Sequence, residues 1–205
     1  MTVGLSGARI YEESLAYSRL NQVPVPGSTL VGYFQSWRYF QAIRDELRAE
    51  MVRSRSRLLG DEPLTASAAS IAVHVRLGDY LHRNHRKTHL VVNGNYYAQA
   101  LNRIRAQLPG RPLHVYSDEP QHAIKWLHSI DPAAEVKTAT PSESDLLDLF
   151  RLSTHEAIIC ANSSFSWWGA WISDLPGNLV TVPKRWINRP SFRHTDLIPD
   201  QWTVI

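Results

Sequence analysis

Cysteine is almost absent from this 205-residue chain: Cys160 stands alone, so no internal disulfide can form. It ends the apolar run Ala157-Ile158-Ile159-Cys160, where a thiol is expected to be inert packing. Excess charge is scarce as well. The 22 Lys and Arg against 19 Asp and Glu leave a net charge of +3, densest at Arg53, Arg55 and Arg57. That is too little for a nucleic-acid footprint, and no recognition motif accompanies it, so nucleic acid is excluded as a partner. No apolar run approaches membrane-spanning length, and the N-terminus lacks the apolar core of a signal peptide. A soluble, cytoplasmic protein is the expectation. No Asp-x-Asp pair occurs, and His82, His85 and His89 have no cysteine beside them. They read as surface histidines, and no metal site is expected.

Aromatic residues, by contrast, are abundant. Seven Trp and eight Tyr exceed what a minimal core needs, and aromatic faces commonly stack sugars and bases. From Ile71 onward, strand-like and helical patterns alternate. Strands are expected at 71–76, 113–117, 135–138, 157–161 and 179–182, and helices at 95–108, 120–129, 142–153 and 165–174. Pro120 suits a first helical turn, and Ser142 with Asp145 comes close to a capping box. Such alternation implies an α/β fold with a parallel sheet and right-handed crossovers. The first seventy residues are less regular. Residues 1–22 show no strong periodicity, Leu30–Phe34 suits a strand, and Tyr39, Phe40, Ile43, Leu47 and Met51 suit one amphipathic helix.

Two segments carry chemistry. Ala161-Asn162-Ser163-Ser164-Phe165-Ser166-Trp167-Trp168-Gly169-Ala170-Trp171 reads as strand, polar turn and helix, with Trp168, Trp171, Ile172 and Leu175 on one helix face. Free N–H groups and hydroxyls at such a turn favour an anion. The plainer reading is a Ser/Asn cap on a buried helix, and both can hold at once. In Ile71-Ala72-Val73-His74-Val75-Arg76, alternation puts His74 and Arg76 on one face, followed by Gly78, which permits a sharp turn. Ligands of open parallel sheets bind beyond the carboxyl ends of the strands. His74, Arg76 and the Asn162–Phe165 turn would meet there. A guanidinium fork suits phosphate oxygens, although for an arginine alone at a strand end a surface ion pair is the default.

With these residues laid out, the chain resembles the bacterial α-1,2-fucosyltransferases of glycosyltransferase family 11. The resemblance rests on Gly32-Tyr33-Phe34-Gln35-Ser36, His74-Val75-Arg76-Leu77-Gly78-Asp79-Tyr80, Ser117-Asp118-Glu119, Asp148-Leu149-Phe150-Arg151-Leu152, the Asn162–Trp171 block, and Asp196-Leu197-Ile198-Pro199-Asp200-Gln201-Trp202. It implies the Rossmann-like, donor-binding half of a GT-B type enzyme. The implied reaction is an inverting, metal-independent transfer of L-fucose from GDP-fucose to the 2-hydroxyl of a terminal galactose. GDP-fucose and a galactose-terminated glycan are the implied partners, and no other cofactor is called for. Glycan synthesis of this kind would place the protein in the cytoplasm, peripheral to the inner membrane.

Carried over residue by residue, the resemblance places His74 against the nucleotide, Arg76 on the β-phosphate and Asp148 on guanine. Asn162, Ser163, Ser164 and Phe165 form the pyrophosphate turn. Asp118 is a further donor contact, with a helix N-cap as an equal contender. Asp79 reads either as the base that deprotonates the acceptor or as a brace for Arg76, and Lys184 as a group able to reach a phosphate. Two departures stand out. Leu77 replaces a second arginine found in many relatives, and no glycine-rich strand–turn–helix precedes Gly32. The resulting expectation is a truncated N-terminal acceptor domain at 1–69, a donor domain at 70–205, slow transfer and an exposed former interface prone to self-association.

Overall fold

A computed structural model describes residues 8–12, 17, 19, 25–59, 69–77, 92–138, 144–173, 177–186 and 196–205. The chain divides into two compact units, residues 1–44 with 190–200 and residues 45–189 with 201–205.

The larger unit is built on six parallel strands: β3 (Ile71–Val75), β4 (Leu113–Ser117), β5 (Val136–Thr138), β6 (Ala157–Ile159), β7 (Leu179–Val182) and β8 (Thr203–Val204). Their spatial order is β5-β4-β3-β6-β7-β8. That is the 3-2-1-4-5-6 order of a Rossmann-like sheet, with its switch point between β3 and β6. The order follows from the strand sequences. Every residue of β3 and β6 is buried, which marks strands covered on both faces at the centre of the sheet. β5 and β8, short and partly exposed, sit at the edges.

Among the described residues, four helices lie in the connections between strands: α2 (Gly94–Arg105), α3 (Pro120–Ile130), α4 (Asp145–Ser153) and α5 (Ser164–Ile172). Ile71, Val73, Val75, Leu113 and Val115 pack with Tyr97, Leu101 and Ile104 of α2 and Ala123 and Leu127 of α3. The opposite face, which carries His74 and Cys160, meets α5, where Cys160 Sγ lies 3.5 Å from the Ser166 carbonyl oxygen. Helix α5 is buried nearly all round, Trp167 included, so the one-sided stripe expected from Trp168 and Trp171 understates its burial. A Cβ added at Gly169 would lie 2.5 Å from Leu152 Cδ2, so α4 and α5 pack closely only because this residue has no side chain.

Helix α1 (Arg44–Leu59) starts later than the aromatic spacing suggested. Tyr39 and Ile43 fall in two successive single 3-10 turns, Trp37–Tyr39 and Gln41–Ile43, and Ser36 Oγ caps the first by accepting from the Arg38 N–H. In the smaller unit, β1 (Arg9–Tyr11) and β2 (Thr29–Val31) pair in parallel. Glu12 Oε2 accepts the N–H groups of Tyr33 at 2.7 Å and Phe34 at 2.9 Å, which holds the backbone turning after β2. Asp196 joins three partners there: it ion-pairs with Arg38 at 3.3 Å and accepts from the backbone of Tyr17 and Trp37.

Candidate functional site

The register of β3 on β6 aligns Val73 with Ile159, so Arg76 and Asn162 stand level, each three residues further on and just past the paired ladder. They flank the switch point, the crevice where an open α/β sheet receives its ligand. On the other side His74 pairs with Tyr116 of β4. His74, Arg76, the 162–165 turn and the end of β4 therefore share one edge; for His74, Arg76 and the turn this follows the expectation drawn from the carboxyl ends of parallel strands.

At the end of β3, Arg76 Nε lies 3.3 Å from Asp118 Oδ2, and Leu77 N–H donates to Asp118 Oδ1 at 3.0 Å. The cap position of α3 is held by Glu119, whose N–H donates to Ser117 Oγ at 3.0 Å. Asp118 is therefore not the helix cap, one of its two expected roles; it braces the Arg76 segment, a role expected of Asp79 as one of two alternatives. Gly78, Asp79 and Tyr80, together with His82, His85, His89, Ser142 and Leu175, lie outside the described residues.

His74 is almost fully buried. Its Nδ1 and Ser166 Oγ are 2.9 Å apart, its ring centroid is 5.2 Å from that of Phe165, and its carbonyl accepts from Tyr97 O–H at 2.8 Å. Burial, reinforced by the Arg76 charge and offset in part by Asp118, lowers its pKa to about 4, so the imidazole is neutral at pH 7.

Ser163 caps α5: its backbone is extended and its hydroxyl accepts from Phe165 N–H at 3.3 Å. Ser164 opens the helix and is exposed, and Phe165 is half-buried against His74. Asn162 is buried, and its Nδ2 donates to the Trp186 carbonyl at 3.0 Å, so it anchors the turn to the segment after β7. Asp148 lies in the first turn of α4, 3.5 Å from Arg151 Nη1. It is near enough to Tyr116 that its charge, after burial, helps raise the phenol pKa. Lys184 lines a separate cavity of about 300 Å³ with Asn93, Asn95, Gln99 and Arg185.

Two features escaped the sequence. Ser166 contacts His74 because it stands one helical turn beyond the cap Ser163, a spacing visible in the sequence. A buried chain also runs from Ser70 Oγ through His155, 2.7 Å from Nδ1, to Tyr116 O–H, 2.9 Å from Nε2. Burial, with His114 nearby, lowers the His155 pKa to about 3. Its members are 39 and 85 residues apart, and no local pattern announces them. Cys160 is buried, free and pushed up to about 12, in keeping with an inert thiol. Among the described residues, no group of three or more His, Cys, Asp or Glu side chains could hold a metal ion, and no helix is long and apolar enough to cross a membrane.

The six-strand parallel sheet flanked by helices, in this order, is consistent with a Rossmann-like half of a GT-B type glycosyltransferase. Residues 17–205 match the profile of Glycosyl transferase family 11, and the chain belongs to that family. It is 26% identical over 197 residues to an alpha-1,2-colitosyltransferase of Escherichia coli, covering 94% of this chain and 68% of that protein. It is also 31% identical over 124 residues to the O-antigen biosynthesis glycosyltransferase WbnK of Escherichia coli, covering 58% of this chain and 40% of that protein.

Proposed function

We propose that this glycosyltransferase moves L-fucose from GDP-fucose to the 2-hydroxyl of a terminal galactose, with inversion and without a metal ion. The reading is supported by the position of Arg76 and of the Ser163-capped N-terminus of α5, which follow the ends of the paired strands β3 and β6 on either side of the sheet's switch point, in a chain of family 11. The acceptor oxygen bonds to the anomeric carbon as the bond from that carbon to the β-phosphate oxygen breaks. The acceptor hydroxyl loses its proton to a base, for which Asp79 is our candidate, and GDP leaves with the electron pair. Arg76 and the N–H groups of the turn offset the charge that grows on the departing phosphate.

Asp148 reads guanine, because one carboxylate accepts from both the ring N–H and the exocyclic amine. Asp118 holds Arg76 in place, and His74 contacts the nucleoside part of the donor. Donor binding is assigned to residues 70–205 and acceptor binding to residues 1–69.

The colitosyltransferase relative makes the sugar the open variable, since colitose is fucose without its 3-hydroxyl. The test offers GDP-fucose or GDP-colitose with a galactose-terminated acceptor and reads the linkage of the product by NMR. An α-1,2-fucosyl product is expected. Transfer of colitose alone would move the donor assignment to that sugar, and GDP binding without any transfer would reduce the chain to a binding module.

A further inference from the structure

We propose that Ser166 is a positioning residue that fixes His74 in the tautomer protonated at Nδ1, so that Nε2 accepts a hydrogen bond from an O–H or N–H group of the nucleotide. The recognition half of this inference rests on the nucleotide-sugar reading above; the tautomer itself does not.

The Ser166 hydroxyl is fully buried and touches three groups. His74 Nδ1 is 2.9 Å away, and the carbonyl oxygens of Ala161 and Ser163 are each at 3.4 Å. Carbonyl oxygens only accept, and a hydroxyl has one proton to give. If that proton went to Nδ1, both carbonyls would face an oxygen lone pair. If it points to the carbonyls, the same oxygen is left to accept a proton from Nδ1. Only the second assignment makes all three contacts attractive.

A neutral imidazole carries a single N–H, and burial with the neighbouring Arg76 charge keeps His74 neutral. With the proton on Nδ1, Nε2 is a bare acceptor, and among the described residues it has no hydrogen-bond partner. An ionised phosphate oxygen has no proton to give to such a nitrogen. A ribose hydroxyl or a base N–H does. Side by side at the end of β3, Arg76 therefore suits the anionic part of the ligand and His74 a neutral donor group.

The test begins with nitrogen-15 NMR of the ligand-free wild-type chain, His74 being assigned by the signals lost in His74→Gln. A pyrrole-type Nδ1 and a pyridine-type Nε2 are expected; the reverse overturns the inference, whether or not any variant folds. GDP, 2′-deoxy-GDP, 3′-deoxy-GDP and inorganic pyrophosphate are then titrated into wild type and Ser166→Ala. The variant should bind GDP roughly three- to tenfold more weakly, the scale of one net hydrogen bond, with pyrophosphate affinity unchanged. A deoxy analogue that binds wild type as weakly as GDP binds the variant identifies a ribose hydroxyl as the donor. Deoxy analogues that both bind like GDP identify a base N–H. An equal loss for pyrophosphate in Ser166→Ala would overturn the inference. Failure of wild type to bind GDP would defeat the nucleotide reading and the recognition half, leaving the tautomer decided separately by the ligand-free spectrum.

Discussion

Asp118 holds both the side chain of Arg76 and the backbone one residue beyond it: one carboxylate oxygen lies 3.3 Å from Arg76 Nε, the other accepts Leu77 N–H at 3.0 Å. The backbone after β3 is thereby held by a residue 41 positions beyond Leu77, just past the end of the neighbouring strand β4. Arg76→Ala should weaken GDP binding by about 1.5–3 kcal/mol, the range of a charge-assisted hydrogen bond. Asp118→Asn, which keeps an oxygen for Leu77 but loses the charge beside Arg76, should weaken it by less. Calorimetric titration of both variants decides the matter: unchanged GDP affinity in a folded Arg76→Ala rules out the phosphate role.

Asp148→Asn should lose preference for guanine. An amide offers one acceptor and one donor, so one guanine N–H meets another donor and goes unpaired. The ratio of GDP to ADP affinity is the readout, and a ratio equal to that of wild type would leave Asp148 as no more than the partner of Arg151.

Gly169→Ala should destabilise the fold by about 1–3 kcal/mol, since the new methyl would press on Leu152 and part α4 from α5. Denaturant melts would show a lowered midpoint with little change in slope. An unaltered midpoint would mean that the Leu152 side chain moves aside at no cost.

Two buried histidines make stability depend on pH. His74 and His155 have folded pKa values of about 4 and about 3, below the usual histidine value near 6.5. Between about pH 6.5 and those values the unfolded chain binds protons that the folded chain does not, so stability falls as pH falls. By about pH 4 the loss is roughly 3 kcal/mol for each, and above about pH 6.5 neither contributes a slope. Thermal melts from pH 7 down to pH 4 check this. Replacing His155 with Gln should flatten the curve, and an unchanged slope in that variant would assign the effect to other groups.

The central strands were legible because β6 is buried on both faces and reads as a continuous apolar run, and because β3 alternates β-branched Ile71, Val73 and Val75 with Ala72 and His74. Two short strands, Arg9–Tyr11 and Thr203–Val204, were not: at three and two residues they carry too little pattern by themselves to stand out from the irregular segments around them. At the site, alternation placed His74 on the sheet face away from Ile71, Val73 and Val75, where the structure has it against Ser166, and the Ser163 cap followed from its position before an apolar helix. The partners of Asp118, Asn162 and His155 come from distant strands and loops, where pairing depends on the assembled sheet. Tyr39 and Ile43 misled because helical spacing is also compatible with two separate 3-10 turns, which the Ser36 cap begins.

The indoles of Trp168, Trp171 and Trp202 all stand within 6.0 Å of Trp167, centroid to centroid, and Trp171 lies stacked on it. Rings this close share their excited states, so the chain carries its own optical gauge in the near ultraviolet. Because α5 supplies three of the four indoles and starts at the Ser163 turn, that gauge reads the platform beneath the turn. Light absorbed there reports whether the helix that carries the Ser163 cap is packed in place, with no ligand, label or acceptor sugar added.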